Sequence, residues 1–202
     1  MGIARNIARL IPNGSGLLPN ANIEAVAASK LTGQVPDANA PSGSVIQVVS
    51  VQKSNAFTTT TNSYVDVTGL SATITPQNSS NKILILIGMH LSHIDSNTGH
   101  IQLLRNSTQI AMGDAIGSFT RSLFSCRISG GTGGAEDSYM TNSYHQNWLD
   151  SPASTSAQTY KIQAWATGGT LFAINRSGFN INTTDPNMGC TTSSITLMEI
   201  TP

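Results

Sequence analysis

Lys82-Ile-Leu-Ile-Leu-Ile-Gly88 decides the fold. Isoleucine at every second position favours the pleated surface of a strand, and the run is far short of the roughly 20 apolar residues that span a bilayer as a helix. Leucine fills the alternate positions, so the strand is apolar on both faces and needs cover on both. The expectation is a central strand packed on one side by a facing sheet and on the other by a neighbouring subunit.

Outward from this run, the dominant period stays near two residues. Tyr64-Val-Asp-Val-Thr-Gly-Leu70 and Ser71-Ala-Thr-Ile-Thr75 alternate before a turn cluster at 76–81, as two strands or one long bent one. Residues 44–52 read as a first strand. Further candidates are 100–105, 109–112, 119–128, 138–149, 159–166, 171–175 and 194–200, with connecting loops at 129–134, 150–156 and 180–192. The last strand should lie inside a sheet, beside residues 45–51. Such spacing predicts an all-β jelly-roll sandwich of roughly eight to ten strands; by analogy alone, that fold resembles in shape the trimeric heads of tumour-necrosis-factor and C1q type modules.

Composition agrees. Only 10% of the 202 residues are charged, against roughly a quarter in ordinary soluble proteins, which disfavours solvated helices laced with ion pairs. The polar surface falls instead to 25 Ser, 23 Thr and 17 Asn, types that favour turns and, for Thr, strands. A net charge of zero provides no broad positive field for nucleic acid and no basic face for an anionic membrane. Residues 1–10 carry Arg5 and Arg9 without the apolar core of a signal peptide, so synthesis in a cytoplasm is expected. Cys126 and Cys190 are too few for a disulfide scaffold; both read as small buried thiols, with a bridge between them left open.

Residues 1–43 are rich in Pro, Asn, Ala and Gly and precede the first aromatic residue, Phe57. Gly16-Leu-Leu-Pro-Asn-Ala-Asn22 recurs as Gly33-Gln-Val-Pro-Asp-Ala-Asn39, an extended unit ending in a turn. Between the two, residues 22–30 offer an Asn cap and one apolar face, enough for a helix of about two turns that is marginal in isolation. The division is therefore an N-terminal attachment segment at 1–43 and a head domain at 44–202.

No constellation of catalytic residues stands out. Gly14-Ser15-Gly16 lacks the nucleophile elbow, the glycines at 130–134 lack the Lys-Ser/Thr of a phosphate loop, and no two of the ten acids share a motif. The chain reads as a non-enzyme with no cofactor. His90, His93 and His100 are the one metal-like grouping, but residues three apart on a strand face opposite ways, so no metal site is assigned. Tyr139, Tyr144, His145 and Trp148 cluster before the loop at 150. Of these, Tyr144, His145 and Trp148 are the candidate surface-binding residues, for a glycan; at period two Tyr144 and Trp148 share a face and suit packing better.

The leader at 31–47, Tyr64-Val-Asp-Val-Thr-Gly-Leu70, Ser80-Asn-Lys-Ile-Leu-Ile85, Leu149-Asp-Ser-Pro152, Gln158-Thr-Tyr160 and Ile195-Thr-Leu-Met-Glu-Ile200 resemble tail-fibre-like and other virion structural proteins of tailed bacteriophages, particularly those of marine and freshwater bacteria. The resemblance spans most of residues 31–202 and rests on framework strands and turns, so it transfers no binding residues. It implies a homotrimer with a β-sandwich tip, docked on other virion proteins through its N-terminal segment. A short tail fibre binding the host surface is the leading expectation, and a capsid decoration protein the alternative.

Overall fold

The structure, a computed structural model, describes residues 40–93, 97–127, 140–178, 184, 186 and 188–202. The expected attachment segment up to residue 39, including the repeat and the helix expected at 22–30, lies outside the described residues, as do the loop expected at 129–134 and much of the one expected at 180–192.

Eleven strands run through the described residues: β1 (Val45–Lys53), β2 (Phe57–Thr59), β3 (Val65–Ile74), β4 (Lys82–His93), β5 (Thr98–Arg105), β6 (Thr108–Ile110), β7 (Phe124–Arg127), β8 (Asn142–Asp150), β9 (Gln158–Ala166), β10 (Phe172–Ile174) and β11 (Ser193–Ile200). No α-helix occurs among the described residues. Every pairing is antiparallel. In the first sheet β4 is central, with β8 along one side and β11, then β1, along the other; β10 and β2 continue that second side past Leu91. The second sheet runs β3-β9-β5, and β7 and β6 share the far edge of β5.

β4 extends five residues beyond the apolar run that announced it. Ile83, Ile85, Ile87, Met89 and Leu91 turn inward and are buried, each contributing about 1.5–3 kcal/mol of burial free energy. They meet Leu70 and Ile74 of β3, Ile101 and Leu103 of β5, Phe124 of β7, and Tyr160 and Ile162 of β9 in one core drawn from both sheets. The architecture is therefore all-β and sandwich-like.

The two alternating stretches within 64–75 form one strand, β3, interrupted by a register shift between Asp66 and Ser71. Gly69 sits in that shift at φ +87°, where a side chain would be strained. The interruption changes the inward parity from Val67 to Leu70, so a strict alternation does not carry through. A second shift, between Val45 and Gln47, brings both Val45 and Val48 to the outside of the first sheet.

Three expectations need correcting. The strand foreseen at 119–128 begins only at Phe124, because residues 113–121 are an exposed connection without strand pairing. β2 was not foreseen, since three residues give no readable period. Both thiols are free, and while Cys126 is buried, Cys190 is exposed, so only one is a core residue. The last strand does lie inside a sheet, between β1 and β4. Thr201 then donates from its backbone to Ser44 O at 3.0 Å and from its hydroxyl to Pro41 O at 2.7 Å, so residues 41–44 join the end of that sheet.

Candidate functional site

Two outward faces are candidates, and the register sets their chemistry. On the first sheet, Val48, Met198, Leu84 and Leu149 lie in one row across β1, β11, β4 and β8. The adjoining positions are Val45, Ile200 and Leu86. Val48 is 55% exposed and Leu149 49%. Toward the other end of the same face the rows turn polar: Gln52, Ser194, Gly88 and His145, then His90 and Ser143. Gly88 leaves room for the His145 imidazole, which lies 3.2 Å from where a Cβ would stand. His90 Nδ1 lies 2.7 Å from Thr192 O, which fixes that nitrogen as the donor and leaves Nε2 pointing away from the carbonyl.

The second sheet presents the opposite character. Trp165 of β9 meets Tyr64 edge-on at 5.4 Å and His100 of β5 at 5.2 Å. Its indole Nε1 donates to Asn62 Oδ1 at 2.9 Å. Beside this aromatic row, Gln102 donates to Gln163 at 2.6 Å, Gln163 to Asp66 at 2.6 Å and Lys161 to Asp66 at 2.9 Å. The Gln163 hydrogen bond, then Lys161, holds the Asp66 carboxyl below its usual range, and burial holds the His100 imidazole below its own.

The three residues singled out from sequence do not share one surface. Tyr144 pairs with Met89 and faces inward, its ring 5.5 Å from Phe124. Burial, reinforced by the Cys126 thiol, pushes its hydroxyl far above the ordinary phenol range. Trp148 shares that inner face, opposite Ile85, and at 38% exposed it lies toward the open edge of β8. His145 points the other way, over Gly88. Tyr139 lies outside the described residues. His90 and His93 do fall on opposite faces, His93 being buried against Phe172. Among the described residues no three His, Cys, Asp or Glu side chains gather as metal ligands.

The Tyr64–Trp165–His100 row went unforeseen. Its one local signal is the alternation of Lys161, Gln163 and Trp165 with buried Tyr160, Ile162, Ala164 and Ala166, which marks an outward face. That Tyr64 and His100 flank it depends on register between strands about 65 and 100 residues away in sequence, which no local pattern encodes.

Two buried carboxylates are held by donors within the fold. Asp150, at the end of β8, accepts from Arg105 Nη1 at 2.8 and 2.9 Å and from the Tyr160 hydroxyl at 2.7 Å, linking the first sheet to the second. Burial and then the Asp150 carboxylate push the Tyr160 hydroxyl far above its ordinary value. Glu199 accepts from Gln77 N at 2.6 Å and Asn81 Nδ2 at 2.7 Å, which fixes the β3–β4 turn against β11.

No protein-family model and no curated protein matches the chain. Among the described residues, no helix is long and apolar enough to cross a membrane.

Proposed function

We propose that the chain is a structural protein of a virus particle, a short tail fibre that residues 1–43 attach to the tail or baseplate. Its sandwich associates as a homotrimer and presents the polar sheet and the loops to a host surface. One observation carries this reading: the two outward faces differ in kind, an apolar row on the β1-β11-β4-β8 face and a hydrogen-bonded polar field around Trp165 on the other. The first suits burial between copies, and the second suits water and weak polar ligands such as glycans. Weak sites repeated in a trimer, and again over a particle, gain affinity by multivalency without a deep pocket.

The same reading takes the sandwich as a jelly roll. The order β1-β11-β4-β8 facing β3-β9-β5-β7, with the chain crossing from β1 to β3, β3 to β4, β4 to β5, β7 to β8, β8 to β9 and β9 to β11, supports it. The resemblance of residues 31–202 to phage virion proteins supports the location. Sedimentation of the full chain tests association, which Val48→Asp with Leu149→Asp should abolish. Fluorescently labelled protein should stain host cells, and Trp165→Ala should weaken the staining. Binding to empty shells, with cells ignored, would favour capsid decoration instead; a compact single chain that binds neither would refute both.

A further inference from the structure

Among the described residues, the two most exposed large apolar side chains lie away from either sheet face. Ile116 is 63% exposed and Phe119 75%. They flank a tight turn, closed by Phe119 N donating to Ile116 O at 3.0 Å, with Gly117 at φ +51°. The turn is braced at its base: Arg121 Nε donates to Gly113 O at 2.6 Å, and Gln109 Nε2 to Arg121 O at 3.2 Å. Burial in the chain's own core does not account for two apolar side chains held outward on a braced turn.

We propose that this turn of one copy docks on the apolar outer face of β1-β11-β4-β8 in the next copy. The proposal rests on the self-association put forward above and names the element that makes the contact. Area gives one argument. Four strands about 4.8 Å apart, taken over seven residues at about 3.3 Å each, form a face of roughly 450 Å². That is little more than half of the ~800 Å² each partner gives to a standard interface. A protruding Ile and Phe supply apolar surface that a flat face lacks.

Charge gives the second. Among the described residues Asp66 pairs with Lys161 and Asp150 with Arg105, while Glu199 accepts from Gln77 and Asn81. Asp114, two residues before Ile116, is the one described carboxylate without a partner. Lys82 is likewise unpartnered among the described residues, and it sits on the apolar face opposite Ile200. Opposite charges therefore border the two complementary apolar features. Arg127 is a second exposed, unpartnered cation, but it lies on β7 of the other sheet.

Position gives the third. The turn leads into β7, whose Phe124 packs on Tyr144 of β8, the edge strand of the first sheet. A contact from this edge onto a neighbour's face is heterologous, and heterologous contacts close into rings when the rotation allows.

The test uses the full chain in sedimentation-velocity dilution series at low salt, with circular dichroism as the folding control. Phe119→Ser should raise the dissociation constant at least tenfold, and Ile116→Ser should do so in the same direction. Lys82→Glu and Asp114→Lys should each weaken association by setting like charges together. The double variant should recover most of the loss, and the recovery should fade in high salt. If Phe119→Ser leaves association unchanged, or if the charge reversals add without recovery, the docking turn is refuted while self-association stands. A wild-type chain that stays monomeric across the series refutes both. Binding of phosphatidylcholine vesicles that Phe119→Ser abolishes, in a monomeric protein, would assign the turn to a lipid surface.

Discussion

Gly99 occupies a position in β5 where any side chain meets a buried ring. A Cβ built there would lie 2.4, 2.5 and 2.7 Å from Cδ2, Cε2 and Cγ of Phe172, against the ~3.5–4.0 Å of an ordinary carbon contact. Phe172 is fully buried on β10 between β4 and β2, with His93 at 5.8 Å, so the ring has little room to swing. Strand propensity alone would make Gly99→Ala stabilising by about 0.5–1 kcal/mol. Overpacking of this kind costs about 1–3 kcal/mol, so the sign reverses. The net loss of up to ~2.5 kcal/mol, at about 2–4 °C per kcal/mol for a domain of this size, should lower the melting temperature by up to roughly 10 °C. Urea unfolding at one fixed protein concentration measures the change without confounding it with association. Phe172→Leu should cost about 1–2 kcal/mol by itself. Combined with Gly99→Ala, it should recover at least ~1 kcal/mol relative to the sum, because it vacates the space the new methyl needs. A Gly99→Ala protein as stable as the parent, or a double variant additive within ~0.5 kcal/mol, would refute this account of the contact.

Three further outcomes follow from the polar groups. Asp150→Asn should cost about 2–3 kcal/mol in urea unfolding, at or below the low end for a broken buried pair because Arg105 retains some exposure to solvent. His100 titrates below its ordinary value because it is partly desolvated, half-buried beside Trp165. On acidification the unfolded chain gains that proton first, so stability is complete above about pH 6.5 and falls as pH drops toward the lower folded value. His100→Gln should flatten that part of a stability–pH curve, and an unchanged slope would count against the assignment. A thiol reagent should label one cysteine in the native protein, Cys190, and reach Cys126 only on unfolding.

The strands were legible where burial and period agree over seven residues or more, as in β9 and β11 with their strict alternation of buried and half-buried positions, and in β4 from Ile83 to Leu91. Legibility failed where the backbone departs from the pleat. The shift around Gly69 breaks the parity of β3, and the connection at 113–121 contains apolar Ile116 and Phe119 that resemble strand residues but face solvent. β8 shows a different failure. Its aromatic cluster reads as one surface, yet Tyr144 and His145 are neighbours in sequence and so point to opposite faces. Which aromatic residues meet across strands is a matter of register, and the Tyr64–Trp165–His100 row appears only once β3, β9 and β5 lie side by side.

Low charge content gains meaning from where the charges fall. With ten acids and ten bases in 202 residues, a random scatter would leave most of them solvated and single. Instead, three of the four described carboxylates are committed: Asp66 orders the polar face, Asp150 joins the two sheets, and Glu199 secures the β3–β4 turn. Asp150 and Glu199 are buried, so removing either leaves a donor unsatisfied in a buried site, which costs about 1–3 kcal/mol. Asp114 breaks this pattern by standing free beside an exposed apolar turn, and Lys82 does so beside an exposed apolar face. In an interface such charges select orientation more than they add affinity. On the docking proposed above, Asp114 and Lys82 would set how copies are oriented, and the apolar surfaces they border would decide whether copies associate at all.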